Sequence, residues 1–186
     1  MSLDTLWDGS TKFKFKIHGW SDSDYAGNKD DRRSILGGQV FVNNAPVSFR
    51  SNTQKTMNLS VTEADGAARI VVAQDMLYVY RLLQSLGLEV ELPMILEMDN
   101  KGAVDLANNW SVGGRTRHVD VRNHVMRELK DMGLIQCRYV PGPENDADIF
   151  TKNVTAAIFE KYVPKCVGVD EYMREWADIQ RLDTSK

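Results

Sequence analysis

Aspartates fall at the places where this chain could do chemistry. Asp22 follows an N-terminal strand-like run, and Asp65 lies in the first turns of a long helical segment. Asp99 follows a short apolar run, and Asp148 lies near the start of the last helical segment. Carboxylates gathered in one place raise one another's pKa and cannot all ionise without a cation. An oxygen-only set, with no His or Cys partner, favours a hard ion, Mg²⁺ or Mn²⁺, over zinc. Two such ions about 4 Å apart activate water and stabilise a leaving oxygen in phosphodiester hydrolysis. Singly, each acid is equally a helix cap, a turn former or a solvated charge. The ordered set of strand end, helix start, strand end and helix start is far more specific.

The elements that must position these acids follow from pattern. KFKFKIHGWS, Lys12–Ser21, alternates Phe13, Phe15 and Ile17 with Lys12, Lys14 and Lys16, the period of a half-buried strand. Asp22 comes next, in WSDSDYAGNKDDRRS, which also carries Asp24, Asp30 and Asp31. GGQVFVNNAPVSFRS, Gly37–Ser51, predicts two strands, QVFV and PVSFR, joined by an Asn-Asn turn. Leu59–Glu89 predicts a long helix capped by Ser60 or Thr62 and stopped at Gly87, with Val71, Val72, Leu77, Leu82 and Leu83 in the core. PMILEMDN is a short apolar strand ending in an acid, and NKGAVDLANN a short helix. His118–Gly133 spaces Val121, Val125 and Leu129 as a helix does, and Leu134–Val140 is a strand that buries Cys137. PGPENDADIFTKNV opens the last helix, with Pro143 near its start.

Three strands in an antiparallel meander, then helix-linked strands, make an α/β domain with a mixed five-stranded sheet flanked by helices. Strand ends and adjoining helices of such a sheet converge on one crevice, the usual seat of chemistry. The domain spans 12–167, with an N-terminal extension over 1–11 and a charged, amphipathic tail over 168–186.

Composition narrows the function. The 186 residues suit one domain, and a domain of this size hides roughly 70% of its unfolded surface. A net charge of −3 excludes coating nucleic acid through overall basicity, so such a partner needs local basic patches. Cys137 and Cys166 form neither a disulfide framework nor a zinc spacing, which fits a reducing compartment. MSLDTLWDGS lacks the apolar core of a secretion signal, and no apolar run could span a bilayer, so no membrane partner is expected.

Five segments taken in order carry a resemblance: WSDSDYAGNKDDRRSILGGQVF, SVTEADGAAR, LEMDNKGAVDLANN, GGRTRHVDVRNHVMRELKDMG and YVPGPENDADIFTK. Together they resemble the ribonuclease H domain of copia-type LTR retrotransposon Pol polyproteins, over roughly Ile17 to Lys152. The resemblance implies a ribonuclease H-like fold and hydrolysis of the RNA strand of RNA/DNA hybrids with two Mg²⁺ ions, or Mn²⁺ as substitute. It also implies the reverse transcriptase domain of the same polyprotein as a partner. The expected location is intracellular, cytoplasmic in a virus-like particle or nuclear. By similarity, Asp22 bridges both ions, Asp148 helps hold the ion that activates water, and Asp99 the ion on the leaving-group side.

The second acid departs from the pattern. Where the family has a TEAEY-like motif, this chain has TEADG, which puts Asp65 at the ligand position and Gly66 where a bulky residue is common. Aspartate withdraws its oxygens by about 1.5 Å, and a misplacement of that size costs on the order of 10²-fold in rate. Gly66 weakens the helix by about 1 kcal/mol relative to Ala. Glu63 is no substitute, because two residues along a helix point roughly 200° apart. A weakened hydrolase is therefore expected. The rivals are a catalytically silent module that binds hybrid or duplex, and a domain repurposed for protein interaction.

Hybrid binding needs backbone contacts more than base readout. Candidate phosphate contacts are Arg32, Arg33, Arg50, Lys55, Arg115 and Arg117, of which GGRTRH is the best case because a helix start follows its glycines. Asn100, beside Asp99, is placed to reach the minor groove, where the 2′-hydroxyl marks RNA. His118 is a candidate for substrate contact or proton transfer, while His124 reads as structural and Trp110 as packing or stacking.

Overall fold

A computed structural model of the protein describes residues 13–27, 33–54, 60–108 and 117–166, without the side chains of 117–122. The N-terminal extension and the tail over 168–186 lie outside the described residues. The strands are β1 Lys14–Phe15, β2 Ile17–Asp24, β3 Ile35–Val42, β4 Ala45–Thr53, β5 Glu89–Val90, β6 Met94–Met98 and β7 Ile135–Tyr139. The α-helices are α1 Val61–Ser85, α2 Lys101–Asn108, α3 Arg117–Asp131 and α4 Ala156–Cys166. Five strands form one sheet in the order β4-β3-β2-β6-β7, while β1 and β5 make a separate two-residue parallel pair. The pairs β4/β3 and β3/β2 are antiparallel, and β2/β6 and β6/β7 parallel. The mixed five-stranded sheet expected from the sequence is present.

Local chemistry accounts for the boundaries. The β3–β4 hairpin turns at Asn43 and Asn44, with φ of 48° and 67°. A two-residue turn matching the strand twist needs positive φ at both positions, which asparagine tolerates. Helix α1 starts at Ser60, whose hydroxyl accepts from the Glu63 N–H at 3.2 Å. It stops at Gly87, φ 76°. There Gly87 N–H donates to Gln84 O and Leu88 N–H to Leu83 O, each at 3.0 Å, which satisfies two end carbonyls.

One stripe of α1, Ala64, Ala68, Val72 and Met76, is buried against the sheet at every fourth residue. The helix comes close because β2 and β3 present Gly19 and Gly38 beneath it. A Cβ on Gly38 would stand 2.2 Å from Val72 Cγ2, and one on Gly19 2.8 Å from Met76 Sδ. Met94, Leu96, Met98, Met126, Ile135 and Cys137 complete the core.

Some expectations are corrected. The Lys12–Ser21 strand breaks at Lys16, whose N–H donates to Asn43 Oδ1 at 2.8 Å, and only Ile17 of its apolar trio is buried; Phe13 is 61% exposed. Because β2 runs on to Asp24, Asp22 sits inside the strand rather than after it. The segment around Asp148 does not open the last α-helix: Pro143 lies in a 3-10 turn, Gly142–Glu144, and Asp148 starts another, Asp148–Phe150. The helix itself begins at Ala156. Leu82 is 47% exposed, not core.

The Gly38 contact yields a stability test. Gly38→Ala should cost about 1–3 kcal/mol by forcing Val72 aside. Val72→Ala in the same chain should reopen the space, so the double variant loses less in urea unfolding than the two singles summed.

Candidate active site

The register of β2 and β6 builds the centre of the site. Trp20 pairs with Glu97 in a parallel ladder, and two residues further along each chain stand Asp22 and Asp99. Successive residues of a strand face opposite ways. Ser23 therefore turns to α1, while Asp22 turns to the turn that carries Asp148. That turn is docked by Asn145, fully buried, which donates from Nδ2 to Ser21 O at 3.1 Å and accepts from Ala147 N at 3.2 Å. It lies directly over Gly37, where a Cβ would fall 2.6 Å from Thr151 Cγ2. Helix α4 braces the same loop: Tyr162 Oη donates to Pro143 O at 2.5 Å and Lys165 Nζ to Asp146 Oδ1 at 3.0 Å.

Asp22, Asp99 and Asp148 are thereby brought together, each offering a carboxylate oxygen within 4.8 Å of the others. Asp22 and Asp99 border an open cleft of about 400 Å³ that is also lined by Ser23, Asp65, Asn100 and Lys152. Asp65 lines this cleft but stands outside the triad. Its Oδ1 accepts from Ser23 Oγ, and its Oδ2 from Asn100 Nδ2 at 2.7 Å. Asn100 in turn caps α2, its Oδ1 accepting from Ala103 N at 3.1 Å.

The charges are held under tension. Burial pushes the Asp22 carboxyl up to about 6, against a hydrogen bond from Thr151 Oγ1 and the nearby Lys152 ammonium, while Asp148 and Asp99 push it further up. Burial also raises Asp65, against its bonds from Ser23 and Asn100. The folded pKa of Asp22 lies above that of an unfolded aspartate, so its neutral form favours the fold. That contribution is lost as pH rises from about 4 to about 6. An oxygen-only set this close, with one member resisting ionisation, fits a hard divalent cation.

The other candidates are scattered. Arg33 is exposed just before β3 and does not line the cleft. Arg50 is engaged by Asp75, with Nε and Nη2 donating at 2.5 and 2.6 Å, which ties β4 to α1. Arg32, Lys55, Trp110 and Arg115 lie outside the described residues, as do the side chains of Arg117 and His118 on α3. His124 is half exposed, 3.4 Å from Glu128 one turn on. Sequence reasoning missed Ser23, Asn145, Thr151 and Lys152. A signal did exist for the last two: a hydroxyl and an ammonium immediately follow the turn of the final acid.

No protein-family model matches the chain. It is 35% identical over 144 residues to the retrovirus-related Pol polyprotein from transposon TNT 1-94 of Nicotiana tabacum, covering 77% of this chain and 11% of that protein. It is 31% identical over 153 residues to the corresponding polyprotein from transposon RE1 of Arabidopsis thaliana, covering 82% and 10%. The chain thus spans about a tenth of the length of these curated relatives. Among solved structures, LC11-RNase H1 in complex with an RNA/DNA hybrid aligns with a TM-score of 0.56 at 13% identity, over 73% of this chain and 94% of that one.

Thr151→Val tests the electrostatics, since it keeps the shape and removes the donor to Asp22. Without metal, the variant should lose about 1–3 kcal/mol where Asp22 is ionised, above pH about 6, and much less where the carboxyl is protonated. Urea unfolding on both sides of that pH measures it; an equal loss on both sides would contradict the assignment.

Proposed function

Because this chain is homologous to retrovirus-related Pol polyproteins of copia-like transposons and has the ribonuclease H fold, we propose that it hydrolyses the RNA strand of RNA/DNA hybrids as the ribonuclease H domain of such a polyprotein. The observation that carries the proposal is the acid triad: carboxylates from three distant segments converge within 4.8 Å of one another, two of them lining an open cleft. Asp22, Asp99 and Asp148 would hold Mg²⁺ or Mn²⁺, with Asp65 as a fourth acid at the cleft wall. When bound, such ions lower the pKa of water and stabilise charge on the departing oxygen.

The chain's own groups supply orientation. Asn100 spends one amide hydrogen on Asp65 and its carbonyl oxygen on Ala103, which leaves a second amide hydrogen for a ribose 2′-hydroxyl. The amide is fixed at both ends before substrate arrives, so little ordering cost remains. Lys101, the first residue of α2, borders the same cleft and adds a cation for the backbone of the hybrid. Asp65 weakens the site, because both its oxygens are already committed to donors and its short side chain leaves it outside the triad. The partner that delivers hybrid would be the reverse transcriptase domain of the same polyprotein, and the reaction would take place inside the cell.

A labelled RNA/DNA hybrid titrated with Mn²⁺ tests this. The expected result is cleavage of the RNA strand that Asp22→Asn abolishes. Tight, salt-sensitive binding of hybrid without cleavage would instead favour the silent binding module. Asp65→Glu should raise the rate, by up to about 10²-fold if reach alone limits the site; an unchanged rate would remove Asp65 from the account of the metal ligands.

A further inference from the structure

Lys152 stands where the acid triad needs positive charge. Its Nζ lies 2.7 Å from Asp148 Oδ1 and 3.5 Å from Asp22 Oδ2, and it borders the same cleft as Asp99. The position is built by the chain itself. The turn Asp148–Phe150 brings Lys152 back over its first residue, with Lys152 N–H donating to Asp148 O at 3.1 Å. Thr151, next to it, gives its hydroxyl to the same oxygen of Asp22, Oδ2. Two consecutive side chains thus serve the same buried carboxylate, one by hydrogen bond and one by charge. Burial works against the Lys152 ammonium, but the Asp148 hydrogen bond and the charges of Asp22, Asp148 and Asp99 outweigh it and push its pKa up.

We infer that Lys152 is the resident cation of the acid triad in the metal-free protein, and that a divalent ion binds there only by displacing it. The inference rests on the reading of Asp22, Asp99 and Asp148 as a metal site. An ion held by oxygens that the ammonium itself touches would stand within a few ångströms of a like charge. The Lys152 side chain is 42% exposed, so it has open cleft into which to withdraw. Two consequences follow. The charge of the triad is offset in part from within, which favours the fold before any ion arrives. The same lysine lowers the affinity for the ion and sets the concentration at which the site fills. Lys152 is on this account a positioning residue, acting through the triad on the ion.

The test is Mn²⁺ binding without substrate, by calorimetry or by the loss of the free-ion electron spin resonance signal. Lys152→Met should bind Mn²⁺ about ten-fold more tightly than the unaltered chain, the scale expected when one like charge leaves a half-exposed site. Lys152→Arg, which keeps the charge, should stay within about two-fold of the parent on the same Coulombic reasoning. Melting gives a second readout. In chelator, Lys152→Met should melt below the parent, and saturating Mn²⁺ should close the gap.

If the parent binds Mn²⁺ through a site lost in Asp22→Asn, and Lys152→Met binds no more tightly, this inference fails while the metal site stands. If neither the parent nor Lys152→Met binds at an Asp22-dependent site, both readings fail together. A site that appears only in Lys152→Met and vanishes when Asp22→Asn is added would support the displacement directly.

Discussion

The mutual repulsion of Asp22, Asp99 and Asp148 is the constraint to which the rest of this fold answers. Unit charges 4–5 Å apart near a protein surface repel by roughly 3–4 kcal/mol for each pair, so no isolated stretch of the chain would bring them together unaided. The fold imposes the meeting through long-range structure. The parallel β2/β6 ladder fixes Asp22 beside Asp99, and buried Asn145 pins the third acid's turn onto β2. Glycines at 19, 37 and 38 let α1 and that turn approach the sheet on opposite faces. A core rich in methionine and small residues holds the layers in place. The repulsion at the cleft is thus offset by burial elsewhere, as is usual where a site works against local stability.

How the repulsion is relieved differs from acid to acid. Asp22, the most buried of the triad, accepts from Thr151 and lies near Lys152, yet burial still pushes its carboxyl up to about 6. Asp148 takes the closer contact with Lys152. Asp65, which sits apart from the triad, is relieved by neutral donors, Ser23 and Asn100. A carboxylate whose oxygens both accept from fixed protein donors has less to gain from a metal ion than one still short of partners.

Much of this was legible in the sequence, for identifiable reasons. The hairpin was legible because Asn-Asn permits positive φ at two consecutive residues, and α1 because Ser60 and Gly87 are chemical signals for a start and a stop. The strand ends misled where the period of two continued past the element: Phe13 and Phe15 alternate correctly, but β1 pairs with β5 outside the main sheet. The turn at Asp148 was invisible as such, since a 3-10 turn and the first turn of an α-helix share the same residue preferences. The triad could be proposed from the ordered placement of its acids. The roles of Thr151 and Asn145 could not, because each bonds a partner more than 120 residues away.

The departure at residues 65 and 66 looks like two independent defects in the sequence, but in three dimensions it involves a third residue. Arg69, one turn further along α1, is fully buried; it donates to Ala103 O on α2 and from Nη2 to Asn123 Oδ1 on α3 at 2.6 Å. A Cβ on Gly66 would lie 3.7 Å from Arg69 Nη2, an ordinary van der Waals contact, so the helix turn at residue 66 runs beside the guanidinium. Burial pulls the Arg69 pKa down, and Cys137 and Asp65 act in the other direction. Burial also pushes the Cys137 thiol up to about 11, so near neutral pH it carries no charge. A buried guanidinium without a nearby anion is costly, so a carboxylate at position 65 also serves the fold through Arg69. Gly66, Arg69 and Asp65 therefore belong to one local arrangement: the helix turn that carries the departing acid also carries a buried cation, and the charge of that acid favours the cation.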